Sequence, residues 1–405
     1  MKHNAHSTSQ WLGGIDREQS DFVPKVLERI LVDAARSGAS DAHFQPGKNG
    51  VEVRFRQDGV LHVLGNLPGE LTAQFAARLK VLANLLTYKV DVPQEGRIRS
   101  GTVPGVEKEM RVSSAPTLYG ERVVVRFFSE ETQYQYLNEL GLPFDVRDEL
   151  LRAVRKNSGA VLLTGPSGSG KTTTAYALLR ELADRGETTR SIVTLEDPIE
   201  HALEGIAQIE VRHQNDLTLD KMIKYMMRQD PEVLFVGEIR DQTTAEAAMQ
   251  AALTGHLLMT TFHAGSAAES IGRLCEIGIE PFALRSGISY VLCQRLMRKL
   301  CPVCAKKQNE NITLTIGREC FEIEEYSTPQ GCEHCNGTGY QGRILLAESL
   351  PLENDDVMRA MFDRLDMRAI TKLAVQHGMI PMSERAVSLA KTHISSPQEI
   401  RRVFG

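Results

Sequence analysis

The sequence of 405 residues has one tryptophan, seven cysteines and no apolar stretch near the ~18 residues that cross a bilayer. Its longest apolar runs, such as the one between Gly159 and Gly165, have strand length, so the chain is not expected to cross a membrane by itself. A secretory signal is absent too: residues 1–20 are polar, with His, Ser, Gln and the single Trp, and read as a flexible tail on a cytoplasmic protein. Basic residues are not in excess. The 47 Lys and Arg against 52 Asp and Glu leave a formal charge of −5, and there is no Lys/Arg block, which argues against a nucleic-acid partner. What remains is ordinary: 42% hydrophobic and 24% charged residues mark a globular chain long enough for two to four domains.

The apolar pairs Val26 and Leu27, Ile30 and Leu31, and Ala34 and Ala35 recur at helical spacing as far as Gly38. Val51, Val53 and Phe55 then alternate with Glu52, Arg54 and Arg56, and Asp58-Gly59 turns the chain into a second strand, 60–64. A helix over 71–86, a break at 93–96 and strand-like runs at 110–112 and 122–128 complete a small α+β domain, 21–130, before a linker, 131–147. Strand-like runs at 160–164, 191–195, 233–236 and 256–262 alternate with helical stretches, the signature of an α/β domain with a mostly parallel sheet, 148–298. A cysteine-bearing module, 299–345, and a helical region, 346–405, follow. The last helix opens on Ser396, Pro397, Gln398 and Glu399, a capping-box spacing with proline first.

The strongest motif is Gly165, Pro166, Ser167, Gly168, Ser169, Gly170, Lys171 and Thr172, with Thr173 next, between an apolar strand and a helix with Ala175, Leu178, Leu179 and Leu182 on one face. Glycines let backbone N–H groups curl round a phosphate, Lys171 reaches the terminal phosphates and Thr172 can ligate Mg²⁺. Hydrolysis also needs carboxylates to hold the metal and orient water. Glu196 and Glu238 end two strands at the sheet edge where ligands bind, with Gly237 standing where an aspartate is expected. Asp241 fits a helix cap as well as a site acid. His263 follows a strand end beside the expected terminal phosphate, where a sensor and a backbone-bonded structural histidine fit equally well, and the sensor role is weaker for His256.

Cys301 and Cys304, then Cys332 and Cys335, form two C-x-x-C knuckles, as tetrahedral thiolate coordination of a closed, structural zinc site requires. A redox pair or buried thiols are the alternatives, and His334 can in principle replace one sulfur. Cys275, Cys293 and Cys320 have no such partner.

On these residues the chain resembles the type II secretion and type IV pilus assembly ATPases, the GspE/PulE/PilB-like secretion ATPases. Residues 165–172 correspond to the Walker A loop, 194–200 to the Asp box, 228–231 with 237–241 to an atypical Walker B, and 254–264 to the His box. The resemblance implies a RecA-like P-loop core, a small α+β, PAS-like N-terminal domain, a tetracysteine zinc module and a C-terminal helical region. It implies a homohexamer using ATP, Mg²⁺ and Zn²⁺, with nucleotide between the two domains and arginine fingers best matched by Arg111 and Arg126. It further implies an inner-membrane platform protein as partner and peripheral attachment to that membrane. Family members commonly add a domain that docks on a membrane-anchored adaptor. Only about 22 residues precede the first helix here, so the sequence reads as a short form that lacks it. The tetracysteine module resembles the assembly rather than the retraction branch. A pilus-extension or DNA-uptake motor shares every motif. A nucleic-acid motor and a non-hydrolysing nucleotide-binding scaffold are the readings from other classes.

Overall fold

The computed structural model describes residues 21–128, 134–184, 189–211, 217–352, 354–362 and 366–405. The tail 1–20 and the first linker residues, 131–133, lie outside them. The chain divides into two compact units: one comprises the described residues of Met1–Glu131 with Cys301–Ala305 and Pro329–Gly342, the other those of Thr132–Leu300, Lys306–Thr328 and Arg343–Gly405. Both cysteine knuckles therefore fall with the N-terminal unit.

In the first unit, β1 (Asp41–Gly47), β2 (Gly50–Gln57), β3 (Val60–Leu67), β4 (Gln94–Ile98), β5 (Met110–Thr117) and β6 (Gly120–Phe127) form one sheet in the order β3-β2-β1-β6-β5-β4. Asp58 and Gly59, at φ 47° and 81°, make the turn between β2 and β3, both central residues having the positive φ of a hairpin turn. The helix Phe22–Arg36 buries Val26, Leu27, Ile30 and Leu31 in the same core as Val53, Phe55, Val112 and Val125 of the sheet. Two expectations are corrected. The helix expected over 71–86 spans Thr72–Leu82 and the chain turns at Asn84, whose φ is 57°. The expected break at 93–96 is largely strand: Gly96 lies within β4, and glycine is needed there because a Cβ would stand 2.4 Å from the Ala83 carbonyl.

In the second unit, β7 (Gly159–Thr164), β8 (Ile192–Glu196), β9 (Ala207–Glu210), β10 (Val233–Glu238), β11 (Leu257–Phe262), β12 (Ile288–Leu300) and β17 (Tyr340–Ser349) build a sheet in the order β17-β12-β7-β11-β10-β8-β9. The pairs from β12 across to β9 are parallel. Alternate residues serve opposite faces: Ala160 and Leu162 join one core, Val161 and Leu163 the other. The helices Phe144–Val154 and Lys171–Asp184 contribute to the second of these cores, and Gln242–Leu253 and the C-terminal helices to the first. Between the knuckles, β13 (Lys306–Gln308) pairs with β16 (Tyr326–Thr328), and β14 (Ile312–Ile316) with β15 (Glu319–Ile323). The helix Phe144–Val154 starts inside the stretch expected as linker, after a turn Leu137–Glu139 in which Glu139 accepts from the N–H groups of Gln135 and Tyr136. No helix among the described residues is long and apolar enough to cross a membrane.

Ser396 caps the last helix, Pro397–Phe404, by accepting from Glu399 N at 3.1 Å. The Glu399 carboxylate, fully buried, takes the Arg298 guanidinium at 2.8 and 2.9 Å and that of Arg402 at 2.6 and 2.8 Å. Burial alone would raise its pKa; the two arginines outweigh it and hold the carboxyl below the usual range. A depressed folded pKa means that this contribution is complete above the ordinary carboxylate range and is lost as pH falls through the folded value. Glu399→Ala leaves two guanidinium groups without their buried partner and should cost about 3–5 kcal/mol at neutral pH, measured by denaturant unfolding.

Candidate active site and metal centre

The C-terminal ends of the parallel strands lie in register: Thr164 of β7 pairs with Phe262 of β11 and with Cys293 of β12, and Leu195 of β8 with Val236 of β10. The residues that follow them meet at one sheet edge, where a parallel α/β sheet binds its ligand. After Thr164 comes the loop 165–170, in which Gly165, Gly168 and Gly170 have φ of 144°, 70° and 89°, conformations that a side chain resists. A Cβ at Gly165 would meet the Gln294 carbonyl at 2.3 Å, so the backbone can pass only as glycine. The loop runs into the N-terminus of the helix Lys171–Asp184, which aims free N–H groups at an anion.

The Lys171 ammonium lies inside the loop, donating to the carbonyls of Gly165 and Pro166 at 2.9 Å each. Burial pushes its pKa down and the charge of Glu238 opposes this. Its Nζ is 3.4 Å from His263 Nδ1, and His263 Nε2 is 2.8 Å from Glu238 Oε1. Arg240 holds the other Glu238 oxygen at 2.6 Å. Lys171, His263 and Glu238, three residues singled out from the sequence, thus form one contiguous chain. At Gly237 the ladder between β10 and β11 shifts register between Val236 and Glu238, a bulge that re-aims the following side chain. Thr261 Oγ1 pins the bulge by donating to the Gly237 carbonyl at 2.6 Å.

Glu196 stands apart from that chain. It is 4% exposed; Tyr176 donates to Oε2, while Thr194 Oγ1 and Gln208 Nε2 reach Oε1 at 2.6 and 3.2 Å. Burial, then the Glu196 contact, raises the Tyr176 pKa, so the phenol remains a donor. Sequence reading missed these holders; only Thr194, two residues earlier on the same side of the strand, left a signal. Thr172, Glu196, Asp197, Glu238, Arg240 and Asp241 line one cavity of about 360 Å³. A hydroxyl with several carboxylates is the hard-oxygen donor set that Mg²⁺ prefers. Asp241 caps the helix Gln242–Leu253, accepting from Thr244 N at 2.8 Å; the Thr243 hydroxyl contributes most to holding its carboxyl below the usual range. His256 Nδ1 lies 3.1 Å from the carbonyl of Ala251 near the end of that helix.

Arg111 and Arg126 belong to the other unit, where they are cross-strand partners on β5 and β6. Arg126 pairs with Asp41 at 2.9 Å and Arg111 with Glu95, and Arg97 is the register partner of Arg111 on β4. These pairings place the three arginines in one row across the sheet.

The sulfurs of Cys301, Cys304, Cys332 and Cys335 all lie within 4.8 Å of one another, with Cys301–Cys332, Cys304–Cys335 and Cys332–Cys335 at 3.9, 3.8 and 3.8 Å. A regular tetrahedron with ~2.3 Å zinc–sulfur bonds has sulfurs about 3.8 Å apart, the spacing of these three pairs, so the set fits zinc. Burial opposes the Cys335 thiolate, but the N–H groups of Cys332 and Gly339 outweigh it and bring the pKa down to about 7. The chain should carry about one zinc per molecule by elemental analysis, and Cys335→Ser should lose the metal and lower the thermal midpoint. Cys293 is a buried core thiol pushed up to about 12 by its burial.

Comparison with known proteins agrees with this layout. The chain is 37% identical over 395 residues to the type IV pilus assembly ATPase TfpB of Acinetobacter baylyi, covering 94% of this chain and 65% of that protein. It is 43% identical over 348 residues to the type II secretion system protein E of Pseudomonas aeruginosa, covering 85% of this chain and 68% of the relative. It thus spans about two thirds of the length of each. Among solved structures, the Legionella pneumophila ATPase DotB aligns with a TM-score of 0.67 at 21% identity, covering 95% of this chain and 97% of that one. The pilus retraction motor PilT aligns at 0.61 and 22%, covering 93% and 96%. Both show the RecA-like fold. The family described as type II/IV secretion system protein matches residues 16–402, and with the phosphate loop, the acidic strand ends and this coverage the chain belongs to that family.

Proposed function

We propose that the chain is an ATP hydrolase that works as a homohexamer and powers pseudopilus or pilus assembly, and protein export through a type II secretion-like system, by moving an inner-membrane platform protein. The observation that carries hydrolysis, rather than binding alone, is the contiguous chain Lys171, His263 and Glu238, with contacts of 3.4 and 2.8 Å. The loop 165–170 cradles the phosphates and Lys171 bridges the terminal ones. Glu238 orients and deprotonates the attacking water; His263, bonded to it, couples the terminal phosphate to that carboxylate. Glu196, held by three donors, is the second carboxylate. Thr172 and the cavity carboxylates would hold Mg²⁺, which when bound would neutralise charge on the phosphates. The zinc knuckles are structural and support an assembly rather than a retraction motor. Attachment to the cytoplasmic face of the inner membrane is through the platform protein; the adaptor contact of longer relatives falls to another protein, since the domain that makes it is not expected in this chain.

In this reading Arg111 and Arg126 complete the site of a neighbouring subunit. Mixing Arg126→Ala with Lys171→Ala chains, each reduced tenfold or more alone, tests it: rings that hold both pair an intact phosphate loop with an intact finger. Phosphate release restored at intermediate ratios is the expected result. No recovery at any ratio, with mixed rings shown to form, contradicts action between subunits.

A further inference from the structure

Two consecutive residues of β12, Gln294 and Arg295, touch the loop 165–170 and the loop after His263. Gln294 is fully buried, and its Nε2 donates to the Ser169 carbonyl at 2.9 Å. Its own carbonyl runs against Gly165, because Cys293 is in register with Thr164, the last residue before the loop. Gln294 therefore meets the loop at its first glycine and again near its end. The peptide unit is planar, so fixing the Ser169 oxygen also fixes the direction of the Gly170 N–H, one of the donors a bound phosphate meets. Arg295 acts on the other loop. One guanidinium nitrogen donates to the Gly265 carbonyl at 3.1 Å, another donates to the Val403 carbonyl, and the group stacks over the Phe404 ring at 5.1 Å. Gly265 is two residues past His263, and its N–H donates to Glu269 at 2.7 Å, while Arg273 holds the His263 carbonyl at 2.9 Å.

We propose that Gln294 and Arg295 are positioning residues: Gln294 sets the phosphate loop for binding, and Arg295 holds the loop after His263 so that the imidazole stays on Glu238. The proposal rests on the reading of this site as one that binds and hydrolyses ATP. Neither residue touches nucleotide in this account; each acts through a backbone carbonyl.

The test is a split between binding and turnover in the full-length chain. Gln294→Met keeps the volume and removes the donor. It should raise the Kd for MgADP by calorimetry, and KM for ATP, about tenfold, with kcat within about twofold. Arg295→Met should lower kcat about tenfold, with the MgADP Kd and the number of sites per chain unchanged. A merely structural role for either residue predicts fewer competent sites and a lower thermal midpoint at unchanged Kd, and that result overturns the proposal. Where a methionine variant does not fold, Gln294→Asn, one methylene too short, and Arg295→Lys, which cannot reach both carbonyls, give the same readings. An unmodified chain that binds no nucleotide overturns the proposal and the reading beneath it together. An active unmodified chain with unchanged Kd and KM in the Gln294 variants overturns the proposal alone.

Discussion

Glu238→Gln should leave nucleotide affinity within about threefold of the unmodified chain and lower steady-state ATP hydrolysis about 10²–10³-fold. The amide keeps the volume but only one acceptor, so of His263 and Arg240, now bonded to separate oxygens at 2.8 and 2.6 Å, one keeps its acceptor and the other faces an NH2 group. It cannot take a proton from water, and it removes the negative charge that opposes the desolvation of Lys171. The loop and its helix N-terminus are untouched, which is why binding survives. Phosphate-release kinetics beside calorimetric titration with MgADP separate the two. Equal loss in binding and turnover would mean that Glu238 shapes the site rather than serving the reaction. Negligible turnover in the unmodified chain would favour a nucleotide-binding scaffold.

Lys171→Ala should act on the other quantity, weakening nucleotide binding at least 100-fold. Lys171 is 8% exposed, and its ammonium is bonded to two carbonyls of its own loop, at the centre where the phosphates are to lie. Its removal takes away the one cation in the loop. It should leave the thermal midpoint without nucleotide nearly unchanged, because the two carbonyl bonds offset a costly burial. A midpoint that rises with MgATP in the unmodified chain and stays flat in the variant is the expected pattern. A variant that is still stabilised by nucleotide would remove Lys171 from the account.

Local patterns made much of this legible. The phosphate loop is contiguous, so its glycines, lysine and threonine could be read without knowing any neighbour, and the cysteine pairs announced a cluster whose sulfurs do converge. Glu238, His263 and Lys171 were each visible as strand ends or motif positions; their contact is a product of strand order, which no local pattern encodes. The same cause hid β12. Its run Gln294, Arg295, Leu296, Met297, Arg298 and Lys299 has no strict alternation, because a strand beside the phosphate loop bonds through its polar side chains as well as its ladder. β1 was missed because His43 and Pro46 interrupt its apolar character, although β2 and β6 flank it. Tyr176 lay on a helix face that reads simply as core; its hydroxyl matters only because Glu196, 20 residues on, comes to lie against it. In Glu399 the expected capping box is half realised: Ser396 caps, but the carboxylate serves Arg298 and Arg402.

The central claim, hydrolysis at sites completed by assembly, is tested most directly by ATP turnover and molar mass by light scattering, measured together across protein concentration in MgATP. Specific activity that climbs in step with conversion to the hexamer, and a tenfold or greater loss in Arg126→Ala at unchanged mass, is the predicted result. A monomer whose specific activity is the same at every concentration would contradict it.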